Sequence, residues 1–334
     1  MKPIKQKLEK KPILALLFAF GLFGIPLIFK GSYFLLVFCY LTFYTIAVSG
    51  LDILVGYSGQ MSMGHAAYLC IGAYASAVLH QHTGMPVLLC MLLAAVIATL
   101  IGTVIAWPAT KLVNHFQSLS TIAFALIVLR VVKNTKFLGA AVGLHSVDIS
   151  LFGLKLDDYT KYYVFMFLVM ALFLLIKQRL VNSRTGRAFI AIRENSHAAD
   201  GMGINVRAYK VLAFSISAFF TGFAGAAYVH LIHYVVPEAF AQTVSVMLIT
   251  MLLFGGSASL FGPIIGAGSV LILNEALRST SQYQVFIYGC ILLVIIVSMP
   301  GGLVGAVKDI KLQIQRRMRQ KESVAVEGGS ADAS

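Results

Sequence analysis

Long apolar runs recur along nearly the whole chain, and they constrain its fold more than any other feature. Several exceed the roughly 18 residues that suggest a membrane span. Only 12% of the residues are charged, against about 25% in a typical soluble domain. Because the bilayer core offers no water to backbone polar groups, continuous apolar runs of this length cross it as helices. The sequence therefore predicts an all-α fold, a polytopic membrane helical bundle.

The apolar runs predict about ten membrane spans. They are expected at residues 12–29, 33–55, 65–80, 86–106, 118–132, 160–178, 209–232, 243–255, 263–277 and 283–300. Four of these, 65–80, 118–132, 243–255 and 263–277, have only roughly 13–16 residues, or about 20–24 Å of helix. Short segments beside glycine-rich breaks indicate discontinuous helices that pack inside protein.

The basic residues are segregated, which predicts the orientation of the bundle. Residues 1–11, 177–210 and the tail from Lys308 hold 18 of the 26 Lys and Arg. The positive-inside rule reads all three segments as cytoplasmic, so both termini are expected inside and nucleic acid is not an expected partner.

The expected division of the chain follows from these spans and charges. It comprises a basic cytoplasmic N-terminus (1–11), a transmembrane domain (12–305) and a cytoplasmic, partly disordered tail (306–334). Within the membrane domain, 133–159 is expected to be an ordered extracytoplasmic loop with short strands, and 179–208 a cytoplasmic loop.

The sequence carries no signature of an enzyme or a metal site. It lacks a glycine-rich nucleotide-binding loop, so no cofactor is expected, and any ATP that energises the protein is hydrolysed by another chain. The four cysteines lie inside apolar runs without metal-ligand spacing. His80 with His82, and His230 with His233, lie at predicted span ends and are interpreted as interfacial side chains.

Two glycine-rich breaks interrupt the apolar runs: the first break, GYSGQMSMGH (56–65), and the second break, FGGSASLFGP (254–263). Irregular backbone at membrane depth is tolerated only where it is buried in protein or lines a cavity. One interpretation makes the breaks part of a translocation path, and the other makes them packing kinks. They match each other weakly, as a parallel or an inverted repeat would. The candidate path residues are Tyr57, Ser58, Gln60, Ser62, His65, Ser257 and Ser259.

Asp52 lies one turn before the first break, inside an apolar run. A lone carboxylate there is expensive, so its side chain is expected to face the bundle interior or a water-filled cavity. We favour a carboxyl group that is hydrogen-bonded across helices over a proton-relay acid. On that interpretation Asp52→Asn is expected to retain most transport.

The loop segment RTGRAFIAIRENSHAADGMGINVRAYK (184–210) interrupts the apolar runs with a charged, helix-forming insert. A first helix is expected at residues 187–193 and a second at 197–202, capped by Asn195 or Ser196 and terminated by Gly203. We call residues 184–203 the pad. Its small residues favour close approach of a partner, with Ala199 and Gly203 on one helix face. The alternative is an ordinary basic loop.

Four stretches resemble the LivM-type family of branched-chain amino acid permeases. They are GYSGQMSMGHAAYLCIGAYAS (56–76), RTGRAFIAIRENSHAADGMGINVRAYKVLAFSISAFFTGFAGAAY (184–228), LFGGSASLFGPIIGA (253–267) and MPGGLVG (299–305). They occur in the family's order, and the resemblance covers roughly residues 33–305. Asp52 departs from the asparagine that the family pattern would have there.

The resemblance implies a permease subunit of an importer driven by ATP-binding cassette (ABC) ATPases in the bacterial inner membrane. The implied partners are a second homologous permease subunit, two cytoplasmic ATPases and a periplasmic substrate-binding protein. The implied cargo is leucine, isoleucine and valine, with urea, short amides or another amino acid as alternatives. The pad resembles the family's coupling loop, which implies ATPase-coupling roles for Arg187, Glu194, Ala198, Ala199 and Gly203. The rival classes are a proton-coupled secondary carrier that uses Asp52 and a membrane scaffold.

Overall fold

The computed structural model describes residues 32–112, 114–145, 150–151, 154–155 and 158–277, with isolated positions at 24, 289–290, 293, 302–303 and 305. The predicted spans 12–29 and 283–300 and both predicted terminal segments lie outside the continuously described ranges. The described part of the chain is predominantly helical, as the apolar runs predict.

Ten α-helices account for most of the described residues. They are α1 Ser32–Leu51, α2 His65–Thr83, α3 Val87–Ala109, α4 Asn114–Asn134, α5 Tyr159–Asn182, α6 Arg184–Glu194, α7 Ser196–Gly201, α8 Val206–Ile232, α9 Gln242–Gly255 and α10 Gly262–Ala276. A π-helical turn, Asp52–Tyr57, continues α1. Eight of the ten predicted spans fall on these helices.

Six of the described segments are long and apolar enough to cross a membrane. They are Tyr33–Tyr57, Val87–Ala109, His115–Asn134, Tyr159–Asn182, Val206–Ile232 and Pro237–Gly255, and Gly262–Ala276 is a shorter apolar helix. The protein is therefore a multi-pass membrane protein with a helical bundle fold.

Two of the four spans predicted to be short are longer than expected. Helix α2 has 19 residues and α4 has 21. Helix α2 continues through the polar residues 80–82 and ends only where Gly84 takes a left-handed φ of 64°. Helix α4 starts earlier, at Asn114, and its first turns are largely exposed, with Gln117 alone buried among residues 115–119 at 1% exposure. Helices α9 and α10, with 14 and 15 residues, are short as predicted.

Helix α8 is the centre of the bundle, packed against α1, α2 and α3. Small residues at the crossings allow the backbones to approach closely. A side chain at Gly72 of α2 would overlap the carbonyl group of Gly222 in α8, and one at Gly225 would overlap that of Leu69. Near the pad, the Arg207 guanidinium lies 4.0 Å from the centre of the Trp107 ring and joins the start of α8 to the end of α3.

The predicted loop 133–159 contains short strands, as expected. Strand β1 (Leu144–His145) pairs antiparallel with β4 (Tyr234–Val235), which follows α8, and β2 (Ser150–Leu151) pairs with β3 (Leu154–Lys155). An ion pair of 2.7 Å between Lys133 and Glu238 joins the same two regions. The loop therefore packs at the end of the bundle where α8 ends, away from the pad. The extracytoplasmic location of this end remains a prediction.

Candidate translocation site and docking pad

The first break runs from the pad end of the bundle towards its middle. The chain leaves the helix after Tyr57 and resumes at His65. Gln60 Nε2 donates to the Lys210 carbonyl at 3.1 Å, whereas His65 Nε2 lies 2.7 Å from Ser217 Oγ. These two partners are seven residues apart in α8, which corresponds to about 10 Å along the helix. Non-helical backbone therefore enters the bundle to a substantial depth.

Side chains from neighbouring helices satisfy the backbone of this segment. The Met63 amide donates to Thr121 Oγ1 at 3.0 Å, and the Met63 carbonyl accepts from Gln242 Nε2 at 2.7 Å. The Ala66 amide donates to Ser245 Oγ at 2.9 Å. Such partners are the condition for irregular backbone inside a membrane protein. The break is thus held by α4 and α9 rather than by its own helical hydrogen bonds.

The polar side chains of the first break point inward in this structure. Ser58, Gln60, Ser62 and His65 are each 3% exposed or less, and Tyr57 is 9% exposed. Gln60 bonds Ser58 and receives a hydrogen bond from Gln117, and Ser62 Oγ lies 3.1 Å from His65 Nδ1. Buried polar groups need such partners. In this structure these polar groups bond to one another and to neighbouring helices, and a role in lining a cargo route stays a prediction.

The side chains that the first break does expose are thioethers. Met61 is 52% exposed and Met63 is 36% exposed. A flexible, polarisable methionine side chain adapts to apolar ligands of different shape. If the break lines a path, methionine sulfur and methylene groups form the surface that it offers in this structure.

This arrangement predicts which engineered cysteines a water-soluble thiol reagent reaches. Met61→Cys should react and Ser62→Cys should not, because the side chain at 61 is exposed and that at 62 is 1% exposed. The background needs Cys290→Ser, since Cys290 is exposed whereas Cys39, Cys70 and Cys90 are buried. Labelling of both variants in intact membranes is the measurement. An inert Met61→Cys would show that this face contacts lipid or protein instead of water.

The second break is a tight turn between α9 and α10. Gly256 has a φ of 98°, and Ala258, with a φ of 55°, is one of three described non-glycine residues in the left-handed region. Ser259 Oγ donates to the Gly256 carbonyl at 3.0 Å and accepts from the Gly262 amide at 2.9 Å. Ser259 is 9% exposed, and Ser257 is exposed. Of the two candidate path serines here, Ser259 closes the turn and Ser257 faces outward.

A buried ion pair joins the two breaks. Lys177 Nζ in α5 lies 2.7 Å from Asp52 Oδ2, and the two side chains are 1% and 0% exposed. Asp52 Oδ1 accepts from the Ala258 amide at 2.7 Å, and Lys177 Nζ donates to the Ser259 carbonyl at 3.0 Å. Asp52 therefore faces the bundle interior and bonds across helices. Both breaks lie at one end of the bundle, in agreement with the ten-span topology.

Lys177 is the member of this buried cluster that the sequence pattern does not single out. Its place in the basic segment 177–210 predicts a cytoplasmic side chain, although it also lies within the predicted span 160–178. The sequence does place Lys177 and Asp52 inside apolar runs, and opposite charges inside a membrane usually pair. That placement is the signal that could have predicted their contact. The pair also reverses the expectation for Asp52→Asn. Asparagine would leave the Lys177 ammonium buried without a counter-charge, and breaking a buried pair costs about 3–5 kcal/mol.

The pad is two capped helices that lie against the bundle. Ser183 ends α5 and caps α6, and Asn195 Oδ1 accepts from the His197 and Ala198 amides at 3.0 Å each. This confirms the expected helix pair and selects Asn195 as the cap. Phe189 and Ile192, at 0% and 4% exposure, anchor α6. The pad is an ordered structure rather than a loose loop.

The candidate coupling residues divide into exposed and buried positions. Arg187, Glu194, Ala198 and Gly203 are exposed, whereas Ala199 is 1% exposed. The expected common helix face of Ala199 and Gly203 is wrong, because α7 ends at Gly201 and Gly203 lies in the following turn with a φ of 84°. Ala199 is small because it packs inside the pad. The surface open to a partner is formed by Ala198 and its exposed neighbours.

The pad contacts the first break directly. Arg193 Nη1 donates to the Gly56 carbonyl, and Gly59, with a φ of 71°, packs against the Arg193 side chain. No side chain at position 56 would fit, because it would overlap the Asp52 carboxylate. Pad, first break and ion pair thus form one contiguous assembly.

The histidine pairs have structural roles where their contacts are described. His80 Nδ1 lies 2.8 Å from the Met85 carbonyl, and His230 Nε2 lies 2.8 Å from Ser76 Oγ. Among the described residues, no group of three or more His, Cys, Asp and Glu side chains is placed to hold a metal ion.

Comparisons with known proteins agree with this architecture. Residues 33–297 match the model of a family described as the permease component of branched-chain amino acid transport systems. The chain is 28% identical over 285 residues to the high-affinity branched-chain amino acid transport system permease protein LivM of Escherichia coli K12 and to that of Salmonella typhimurium LT2. Each alignment covers 78% of this chain and 67% of the relative.

A third relative comes from an archaeon. The probable branched-chain amino acid transport permease protein LivM of Methanocaldococcus jannaschii is 22% identical over 237 residues, which covers 65% of this chain and 68% of the relative. No solved structure matches the chain. The family match spans both breaks, the ion pair and the pad.

Proposed function

Because the chain belongs to the family of permease components of branched-chain amino acid transport systems, we propose that it is one permease subunit of an ABC importer for leucine, isoleucine and valine. It is a multi-pass inner-membrane transport subunit. In the proposed importer, a periplasmic binding protein delivers the cargo, a second homologous permease completes the path, and two cytoplasmic ATPases drive the transport cycle. The family match over residues 33–297 is the observation that carries this proposal.

The structure of the pad supports the proposal that a partner protein supplies the energy for transport. It presents exposed residues on two short, capped helices, and it contacts the first break through Arg193. The sequence has no nucleotide-binding loop of its own. A partner that hydrolyses ATP and docks on the pad would therefore act on a surface that already touches the candidate path.

The ion pair argues against the proton-coupled carrier. A proton-relay carboxylate needs access to water and a vacant site for its proton. Both Asp52 oxygens are engaged, by Lys177 and by the Ala258 amide, and the side chain is 0% exposed.

Uptake of labelled amino acids tests the proposal. A strain without this gene should take up leucine, isoleucine and valine more slowly at submicromolar concentration, and a plasmid copy should restore uptake. Labelled urea and a short amide serve as the comparison cargoes. Loss of urea or amide uptake with intact leucine uptake would show that the importer carries a different cargo.

A further inference from the structure

We propose that Lys177 is a positioning residue that transmits movement of the pad to both breaks through its buried ion pair with Asp52. The inference rests on the proposed function, since it concerns how an ATPase stroke at the pad reaches the path. It adds a residue that neither the family match nor the sequence pattern identifies.

The charged groups of the pair lie where three parts of the protein meet. The Lys177 ammonium comes from α5, the Asp52 carboxylate from the π-helical turn that leads into the first break, and the Ser259 carbonyl from the second break. The Ala258 amide completes the cluster by donating to Asp52. A displacement of α5 along its axis therefore acts on both breaks at one point.

Lys177 is also close to the pad along the chain. It lies five residues before the end of α5 at Asn182, which is about 8 Å along the helix. Ser183 joins α5 to α6 without a loop, because its backbone ends one helix and its hydroxyl caps the next. A side chain at Gly186 would overlap the backbone of Val181. This close packing makes α5 and α6 move together.

Arg193 supplies a second connection from the pad. Its guanidinium donates to the Gly56 carbonyl, four residues after Asp52. The first break is thus held by the pad, through Arg193, and by α5, through Lys177. Two attachments on joined helices transmit a tilt as well as a shift, which one contact alone would not.

A contribution to folding stability alone does not explain well why the protein contains a buried ion pair. Desolvation of the two charges offsets much of their attraction, and replacement of a whole pair by apolar groups is often neutral or stabilising. Removing one partner is damaging because it leaves a bare buried charge. The double variant Asp52→Asn/Lys177→Met removes both charges, keeps similar volumes and leaves an asparagine oxygen able to accept from the Ala258 amide. The double variant therefore removes the contact between α5 and the breaks without leaving an unpaired buried charge.

The experiment compares transport per ATP hydrolysed in the full importer, reconstituted with its ATPases and binding protein. The variants are Asp52→Asn, Lys177→Met, the double variant and Lys177→Arg. Lys161→Met is the matched control, because Lys161 is exposed at the other end of α5. The single variants should reduce the amount of folded protein. The double variant should assemble and hydrolyse ATP, with transport per ATP at least about fivefold lower than wild type.

Lys177→Arg and Lys161→Met should keep the wild-type ratio. A double variant with the wild-type ratio would overturn the proposal, and so would one that fails to accumulate, because the pair would then serve folding. The wild-type complex separates the two levels of inference: if it shows no ATP-dependent uptake, the proposed function fails before the role of Lys177 is reached.

Discussion

Gly72→Ala is expected to abolish accumulation of the folded protein in the membrane. The added methyl group would overlap the Gly222 carbonyl, which belongs to the backbone of the central helix α8. Overpacking typically costs about 1–3 kcal/mol and sometimes more, and here the obstructing atom is main chain that no rotamer change can move. Membrane abundance and thermal stability in detergent are the measurements.

Gly268→Ala is the matched control for this prediction. Gly268 lies inside α10, and an added methyl group would meet only Leu41 Cδ1 at 3.7 Å, an ordinary contact. Alanine in a helix interior is favoured over glycine by roughly 0.5–1 kcal/mol, so the control should be neutral or slightly stabilising. Equal behaviour of the two variants would show that α2 and α8 do not cross at Gly72 and Gly222.

Met202→Asp is expected to abolish transport while the permease still reaches the membrane. Met202 follows α7 and is 72% exposed, more than Ile190, the other exposed large apolar side chain on the pad. If the pad docks on an ATPase, an unpaired carboxylate buried there costs several kcal/mol, and about 1.4 kcal/mol corresponds to each tenfold loss of affinity. Co-purification of the ATPases and uptake should therefore fall together by two or more decades.

Met85→Asp is the control for the docking prediction. Met85 is 37% exposed in the turn between α2 and α3, where α2 ends away from the pad. The same substitution there should leave ATPase co-purification unchanged. A Met202→Asp variant that still binds the ATPases and transports would show that the pad does not dock on them. A substitution at Gly203 would not test docking alone, because the φ of 84° at this position strains any L-residue.

The sequence predicted the helices and breaks because these depend on local chemistry. Apolar runs indicate the spans, and glycine clusters indicate where the chain leaves the helical conformation. The predicted spans 243–255 and 263–277 therefore fall on α9 and α10. The pad was predictable for the same reason, since Asn195 is a capping residue placed before a short helix. The predicted ends of α2 and α4 are less accurate, because polar residues extend these helices beyond the apolar runs.

The candidate site was harder to predict because its contacts are long-range. Lys177 and Asp52 lie 125 residues apart, and no periodicity shows that two charges will meet. The same limit applies to Gln60, whose partners Gln117 and Lys210 lie on α4 and α8. A row of polar side chains in a break therefore indicates that the backbone is irregular. It does not tell which side chains face inward.

ATP dependence of uptake tests the central claim most directly: that this chain is a permease moved through its pad by other subunits. The purified importer is reconstituted in vesicles with labelled leucine and loaded binding protein outside. Uptake should require ATP at the pad side, stop with a non-hydrolysable analogue, and persist when the pH gradient is dissipated. Leucine uptake driven by a pH gradient without ATP would contradict the account.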